Sequence, residues 1–351
     1  MAETPSAPAL LDPRLLQDPK MHARSRALFR ASWQLLDPHL LEEGPELRPF
    51  VMLPGLLDEP LVRTPWALLP NVCTHRGATL IETPCQQRSL RCPYHGRRFS
   101  LAGRCEAAPG FDELEGFPSE ADHLPEIEVE EWGPLRFASL DPLTSFEDIR
   151  AELDPWIGEL VERPGQVLLR EEDHHISANW ALYVENYLEG LHLPFVHPDL
   201  SRQLSLPSYR YETLECGTLQ IGAASAEQQC LDLPKGHPLE GQRIRALYVW
   251  LWPNTMINVY PWGLSMNRIE PRAGDETLVR YHTWVFDHIG SRNEVSAVAQ
   301  TEAEDQQIVR RVQAGMRSSM VGPGTLHPEH EAGVVEFRRR LAEALAQCST
   351  S

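Results

Sequence analysis

The chain has 351 residues, of which 42% are hydrophobic and 23% are charged, a composition typical of a globular protein long enough for two domains. Its formal net charge of −18 argues against a nucleic-acid partner, which requires a basic face, and no apolar stretch reaches the length of a membrane span. The first residues lack a basic segment followed by an apolar one, so we expect no secretory signal and a cytoplasmic protein with reduced cysteines.

The first part of the chain predicts a helical segment followed by a small all-β domain. Residues 1–44 form the N-terminal segment, in which apolar side chains recur at helical intervals between residues 18 and 41. Residues 45–141 contain short strands separated by Pro and Gly, for example Phe50–Leu53 and Trp132–Leu140. We expect the domain boundary where this pattern ends.

Two short segments of the all-β region each combine one cysteine with one histidine. They are Cys73-x-His75 and Cys92-x2-His95, separated by 16 residues. Two thiolates and two imidazoles suit either a zinc ion or a [2Fe–2S] cluster with two Cys on one iron and two His on the other. Structural zinc sites usually keep like ligands together, whereas each segment here is mixed. The spacing favours the cluster but leaves zinc open.

Residues 142–351 predict a second domain of the α+β class, built on an antiparallel sheet. Its predicted elements are a helix at Ser145–Trp156, a strand at Gln166–Ile176, a helix at Asn179–Leu191, several strands up to Trp284, a long helix at Asn293–Ser318 and a terminal helix at Val334–Gln347. A glycine-rich nucleotide loop is absent from the sequence, so a dinucleotide is not expected to bind through such a motif.

The predicted helix at Asn179–Leu191 leads into a second candidate metal site. Glu189 and His192 are three residues apart, a spacing that places them on one face of a helix. Pro194 is expected to break the helix and to let His197 turn back toward the same metal. Two histidines and one carboxylate form the facial triad of non-haem Fe(II) oxygenases.

The third ligand must come from another segment, and Asp305 is the candidate. It lies on the same predicted helix face as Ile308, Val309 and Val312. A carboxylate on an apolar stripe is costly unless it is paired or bound to a metal. The alternatives to a ligand are a buried ion pair or a helix of different phase.

Three segments resemble one known family. CTHRGATL and CPYHGRRFSLAGR are similar to the two cluster loops of Rieske oxygenases, and EDQQIVRRVQAGMRS is similar to the segment that supplies their iron-binding Asp. The chain resembles the oxygenase (alpha) component of Rieske non-haem iron oxygenases over most of its length, and Glu189 favours the choline and carnitine monooxygenase-like branch. It departs from the family pattern at Thr74, where many members have Pro, and at Arg97, where many have Trp.

The resemblance implies a Rieske domain followed by a helix-grip (START-like) catalytic domain, with O2 as co-substrate. It also implies a homotrimer that receives electrons from an NAD(P)H-dependent reductase, directly or through a ferredoxin. Glu189 is expected to bridge an iron-binding His and a Rieske His of a neighbouring subunit, with Asn186 beside the iron ligands. The implied ligands are Cys73, His75, Cys92 and His95 for the [2Fe–2S] cluster, and His192, His197 and Asp305 for a mononuclear Fe(II).

The substrate is predicted less narrowly. Trp250, Trp252, Tyr260 and Trp262 could form a cage for a quaternary ammonium group through cation–π attraction, line a pocket for an aromatic ring, or pack the sheet against a helix. We expect hydroxylation or oxidative demethylation of a small organic substrate. The alternatives are cis-dihydroxylation of an aromatic ring, a Rieske electron-transfer protein, and a zinc-stabilised ligand-binding module.

Overall fold

The computed structural model divides the chain into two compact units. One unit is Trp33–Pro142, and the other combines the described residues of Met1–Ser32 and Leu143–Ser351. The predicted N-terminal segment 1–44 thus falls partly in each unit, with the division after Ser32. The described residues are 18–41, 44–111, 113–286, 292–320, 322 and 324–347, and Cys348 lies outside them.

The unit Trp33–Pro142 contains three small antiparallel sheets in its described residues, with strand orders β1-β9-β8, β2-β3-β4 and β5-β6-β7. This confirms the all-β prediction. The single strand expected at Trp132–Leu140 was wrong, because a turn at Gly133, where φ is +57°, separates two strands. The strands are β1 (Gln34–Leu35), β2 (Arg48–Met52), β3 (Glu59–Arg63), β4 (Leu68–Pro70), β5 (Leu90–Arg91), β6 (Arg98–Phe99), β7 (Cys105–Ala107), β8 (Glu128–Trp132) and β9 (Leu135–Ser139).

The second unit is built on a seven-stranded antiparallel sheet with strand order β10-β16-β15-β14-β13-β12-β11, as predicted for an α+β domain. Its strands are β10 (Val167–Ile176), β11 (Arg210–Leu214), β12 (Gly217–Ala223), β13 (Ile244–Leu251), β14 (Thr255–Tyr260), β15 (Gly263–Ala273) and β16 (Glu276–Val285). Its helices are α1 (Pro19–Arg30), α2 (Phe146–Leu153), α3 (Glu159–Val161), α4 (Trp180–Tyr187), α5 (Leu193–Val196), α6 (Pro198–Gln203), α7 (Arg292–Met316) and α8 (Ala332–Gln347). Within the described residues, none of the helices has the length and apolar character to cross a bilayer.

The terminal helix α8 packs on one face of this sheet through Phe337, which is 0% exposed. Its ring lies edge-on to Trp180 of α4, with centroids 5.8 Å apart, and to Trp250 of β13 at 5.5 Å. Trp252 also contacts Phe337, at 6.1 Å. These contacts pack Trp250, which is 0% exposed, and the partly buried Trp252 against α8, one of the arrangements that the sequence left open for them.

The helix expected at Asn179–Leu191 is shorter than predicted, because α4 ends at Tyr187. Beyond this point the carboxylate of Glu189 accepts hydrogen bonds from the backbone N–H groups of Leu191 and His192. The N–H of Gly190 donates to the hydroxyl of Tyr211 at 2.8 Å. Side chains thus take the donors that a continuing helix would pair with its own carbonyls, and the chain turns instead.

We predict that Phe337→Ala destabilises the second unit by about 3–5 kcal/mol, because it removes a fully buried ring that is shared by a helix and the sheet. The measurement is urea denaturation followed by tryptophan fluorescence. Met320→Ala is the control: Met320 is 91% exposed, and its truncation should change the free energy of unfolding by less than about 0.5 kcal/mol. Equal effects of the two substitutions would contradict this packing role.

Candidate active site

The two Cys–His loops lie side by side in the unit Trp33–Pro142. The sulfur-bearing residues Cys73 and Cys92 are buried in the hydrophobic core of the unit, whereas the rings of His75 and His95 are 4.8 Å apart at their centroids. Two buried thiols and two neighbouring imidazoles match the donor set of a [2Fe–2S] cluster with mixed ligation.

Both loops close in the same way. The N–H of Gly77 donates to the carbonyl of Cys73, and the N–H of Gly96 donates to the carbonyl of Cys92, each at 3.0 Å. The two glycines have φ angles of +73° and +76°, in the left-handed region that favours glycine. The equal closure explains why glycine follows the ligand segment in both loops.

The backbone of each loop points N–H groups at its cysteine. Burial raises the pKa of Cys73, and the N–H groups of His75 and Arg76 oppose this rise. Burial also acts to raise the pKa of Cys92, but the N–H groups of His95 and Tyr94, together with Cys73 and the charge of Arg97, lower it overall. Amide donors directed at sulfur stabilise thiolate ligands, so the loops fit the cluster that the sequence predicts.

In the second unit, His192, His197 and Asp305 converge. One potential ligand atom from each lies within 4.8 Å of the other two. Nε2 of His197 is 2.9 Å from Oδ1 of Asp305, and Nε2 of His192 is 3.7 Å from the same oxygen. Both imidazoles therefore direct the same nitrogen toward one carboxylate oxygen, an arrangement that suits a 2-His-1-carboxylate metal site with open positions.

The other nitrogen of each imidazole is held by a carboxylate. Nδ1 of His192 is 2.6 Å from Oε1 of Glu189, and Nδ1 of His197 is 2.7 Å from Oε2 of Glu304. Such partners fix the ring orientation and the tautomer of metal-binding histidines. The sequence predicted that Glu189 and His192 lie on one face of a helix. In the structure α4 ends at Tyr187, and Glu189 contacts His192 within the turn that follows. The sequence did not identify Glu304 as a partner of His197.

Asp305 is positioned by α4. Nδ2 of Asn186 donates to Oδ1 of Asp305 at 2.6 Å, so Asn186 lies beside the ligand set. The predicted apolar face around Asp305 is only partly realised, since Val309 is buried but Val312 is 43% exposed. The position of Asp305 therefore depends on its polar contacts with α4 and His197 more than on an apolar stripe.

One helical turn before Asp305, Glu302 forms a polar cluster that sequence reasoning missed. Its Oε2 accepts hydrogen bonds from Tyr183 at 2.7 Å and from Tyr281 at 2.5 Å. Its Oε1 accepts a bond from Nδ2 of Asn267 at 3.1 Å. Burial of the carboxylate, together with the negative charge of Asp305, raises the pKa of Glu302 to about 7. No local signal marks this cluster, because its members come from four different elements.

The remaining predicted pocket residues lie at the end of β14 and in the turn after it. Tyr260 stacks on Trp262 with ring centroids 4.8 Å apart, and meets Tyr248 edge-on at 5.9 Å. Trp262 also packs against Val285 and Val295. Burial first, and then the negative potential of neighbours that include Glu302, raise the pKa of Tyr260.

Comparison with known proteins gives two family matches. Residues 166–347 match the ring hydroxylating alpha subunit (catalytic domain), and residues 61–118 match the Rieske [2Fe-2S] domain. The chain is 28% identical over 289 residues to the carnitine monooxygenase oxygenase subunit of Escherichia coli (strain K12), covering 78% of this chain and 76% of that protein. It is 26% identical over 290 residues to the chloroplastic choline monooxygenase of Amaranthus tricolor, covering 78% and 63%.

A solved structure extends the likeness to nearly the full chain. A quaternary ammonium Rieske monooxygenase, whose structure gives insights into carnitine oxidation by gut microbiota and inter-subunit electron transfer, superposes with a TM-score of 0.73 at 21% identity. The superposition covers 96% of each chain. At this level of identity the likeness shows a shared fold.

We predict that Asp305→Ala removes the mononuclear iron and leaves the cluster, so that the iron content falls from about three atoms per chain to about two. Glu304→Ala should weaken ferrous ion binding by about 10–100-fold, because it frees the ring of His197. Iron and acid-labile sulfide analyses with a ferrous titration measure both effects. His175→Ala, which alters an exposed strand residue, should change neither; a normal iron content in Asp305→Ala would refute the ligand assignment.

Proposed function

The chain belongs to the ring-hydroxylating alpha subunit family, and we propose that its substrate is a small cationic amine, which it hydroxylates or oxidatively demethylates. Members of this class are terminal oxygenases that use a Rieske [2Fe–2S] cluster, mononuclear iron, O2 and reductase-derived electrons. The relatives named above act, by their names, on carnitine and choline. Both are quaternary ammonium compounds.

We assign the cluster to Cys73, His75, Cys92 and His95, and the iron to His192, His197 and Asp305. When bound, the cluster supplies single electrons and the iron supplies dioxygen activation. Side chains of this protein hold the iron ligands in position. Glu189 and Glu304 hold the two imidazoles, and Asn186 holds the carboxylate.

The observation that carries the substrate class is that the described hydrogen-bond partners of the Glu302 carboxylate include no cation. Its hydrogen-bond partners in the described chain are two phenols and one amide, all neutral. A partly buried carboxylate without a cationic partner is costly. A cationic substrate would supply the missing positive charge and keep the carboxylate ionised, and the phenol rings of Tyr183 and Tyr281 offer cation–π contacts.

Nearby polar atoms are also available for a ligand. Oγ of Ser265 and Oδ1 of Asn267 are buried without a hydrogen-bond partner among the described residues. The two residues lie two apart on β15 and so share the sheet face from which Asn267 reaches Glu302. Unpaired buried polar atoms call for water or a ligand. Oδ1 of Asn267 can only accept a hydrogen bond, so its position beside Glu302 supports a substrate that carries a hydroxyl donor as well as a cation.

Electron delivery is proposed to pass through Glu189 between neighbouring subunits of a homotrimer. The carboxylate of Glu189 contacts His192, and this contact is one of the two that the bridge requires. The structure of the quaternary ammonium Rieske monooxygenase gives insights into inter-subunit electron transfer in that protein. The reductase that takes electrons from NAD(P)H is a separate protein, reached directly or through a ferredoxin. The six cysteines recorded in the described part of the chain are free thiols, which suits the cytoplasm.

We predict that Glu189→Gln lowers the rate of coupled turnover at least about tenfold while both metal centres stay loaded, because an amide cannot accept hydrogen bonds at both of its ends. Stopped-flow reduction of the cluster, compared with substrate-dependent O2 uptake, separates the relay from metal loss. Full coupled turnover in the Glu189→Gln variant with both centres intact would exclude the bridge.

The substrate class is tested by O2 uptake with a surrogate reductase across carnitine, choline, glycine betaine, methoxyaromatics and arenes. Quaternary ammonium compounds should support product formation coupled to O2 uptake. Coupled product from an arene alone would instead favour ring dihydroxylation, and a colourless, iron-free protein would remove the oxygenase assignment.

We predict that Glu302→Gln raises the KM for choline by about 10–30-fold, equivalent to about 1.4–2 kcal/mol, and leaves the affinity for 3,3-dimethylbutan-1-ol, its neutral isostere, nearly unchanged. The charge–charge attraction is lost, whereas the shape of the site is kept. Glu343→Gln, on the exposed side of α8, is the matched control. It should change neither the KM for choline nor the affinity for the isostere. Equal losses for the cation and the isostere would indicate a structural role for Glu302.

A further inference from the structure

The two positions at which the cluster loops depart from the family pattern, Thr74 and Arg97, contact each other. Nη1 of Arg97 donates to Oγ1 of Thr74 at 3.0 Å. Thr74 lies between the ligands Cys73 and His75 of the first loop, whereas Arg97 follows His95 in the second. The two departures thus form a single link between the loops.

A third group completes this link. Nη1 of Arg97 also donates to Oδ1 of Asp122 at 3.0 Å, and the hydroxyl of Thr74 donates to the backbone carbonyl of Asp122 at 2.9 Å. The carboxylate of Asp122 is itself held by the N–H and hydroxyl of Ser119, both at 2.8 Å. We call Thr74, Arg97 and Asp122 the loop latch.

The charged end of the latch is enclosed by protein. The side chain of Arg97 is 4% exposed, and its guanidinium carbon lies 5.4 Å from the ring centre of Phe111 and 5.2 Å from that of Phe117. The ring of Phe111 in turn meets that of His75 edge-on at 5.5 Å. A guanidinium removed from water in this way acts on its surroundings with little solvent screening.

Asp122 neutralises this charge only in part. Both hydrogen bonds recorded for the guanidinium leave from Nη1, whereas Nε is buried without a partner among the described residues. The carboxylate is also more exposed than the guanidinium, at 22% against 4% for the side chains. The cluster loops should therefore experience a net positive potential from the pair.

We propose that Arg97 sets the reduction potential of the cluster: its buried positive charge, held by Thr74 and Asp122, stabilises the reduced state and raises the midpoint potential. Reduction adds one negative charge to the cluster, and net charge and hydrogen bonding near the sulfurs are established determinants of such potentials. This inference rests on the proposed assignment of the cluster to Cys73, His75, Cys92 and His95.

The test is a spectroelectrochemical titration of the cluster in the full-length protein at one fixed pH. We expect Arg97→Gln to lower the midpoint potential and Arg97→Lys, which keeps the charge, to stay closer to the wild type. Arg98→Gln is the matched control, because Arg98 is the next residue, is half exposed and pairs with Glu106. Its solvent-screened charge should have a smaller effect.

Asp122→Asn provides a test of opposite sign that does not depend on folding of the Arg97 variants. It removes the counter-charge and keeps the guanidinium, so we expect the midpoint potential to rise. Any one of three results would overturn the proposal. The first is a lower midpoint potential in Asp122→Asn. The others are a potential shift in Arg97→Gln no larger than that in Arg98→Gln, and equal potential shifts in Arg97→Lys and Arg97→Gln. If wild-type protein lacks the cluster spectrum, the proposed function fails; if the cluster is present and these shifts do not occur, the inference alone fails.

Discussion

The candidate iron site depends on carboxylates that occupy Nδ1 of both histidines. Glu189 holds His192 and Glu304 holds His197, so the Nε2 atoms are left to face Oδ1 of Asp305. An imidazole held at one nitrogen has a defined tautomer and little rotational freedom. The pairing therefore directs the three ligand atoms toward one another, and it surrounds the site with negative charge that suits a divalent cation.

Helix α4 positions the carboxylates of α7. Residues 183 and 186 are three apart and lie on one helix face; Tyr183 bonds to Glu302 and Asn186 bonds to Asp305. Helix α7 thus carries both the candidate iron ligand Asp305 and the carboxylate of Glu302, and α4 donates a hydrogen bond to each of them. Because Glu302 and Asp305 are one turn apart on α7, the proposed recognition of a cation and the activation of oxygen take place within one small region.

In the Rieske unit, backbone groups rather than side chains position the candidate cluster ligands. Gly77 and Gly96 close the two loops so that N–H groups face the cysteine sulfurs. A cluster held in this way needs few side chains, which leaves the neighbouring positions free to tune it. Arg97 and Thr74 occupy such positions, and their mutual contact shows that the two departures from the family pattern form one structural feature.

The sequence by itself predicted the fold class, the order of the elements and the pairs of candidate ligands that depend on local spacing: Cys73 with His75, Cys92 with His95, and His192 with His197. Asp305 comes from a distant segment, and only the resemblance to a known family singled it out. The end of α4, the packing of Trp250 and Trp252 against Phe337, and the partners Glu304 and Glu302 were decided by tertiary structure alone. Glu304 lies 107 residues from His197, and Glu302 lies 119 residues from Tyr183. Contacts over such separations arise only when the sheet and its helices have packed.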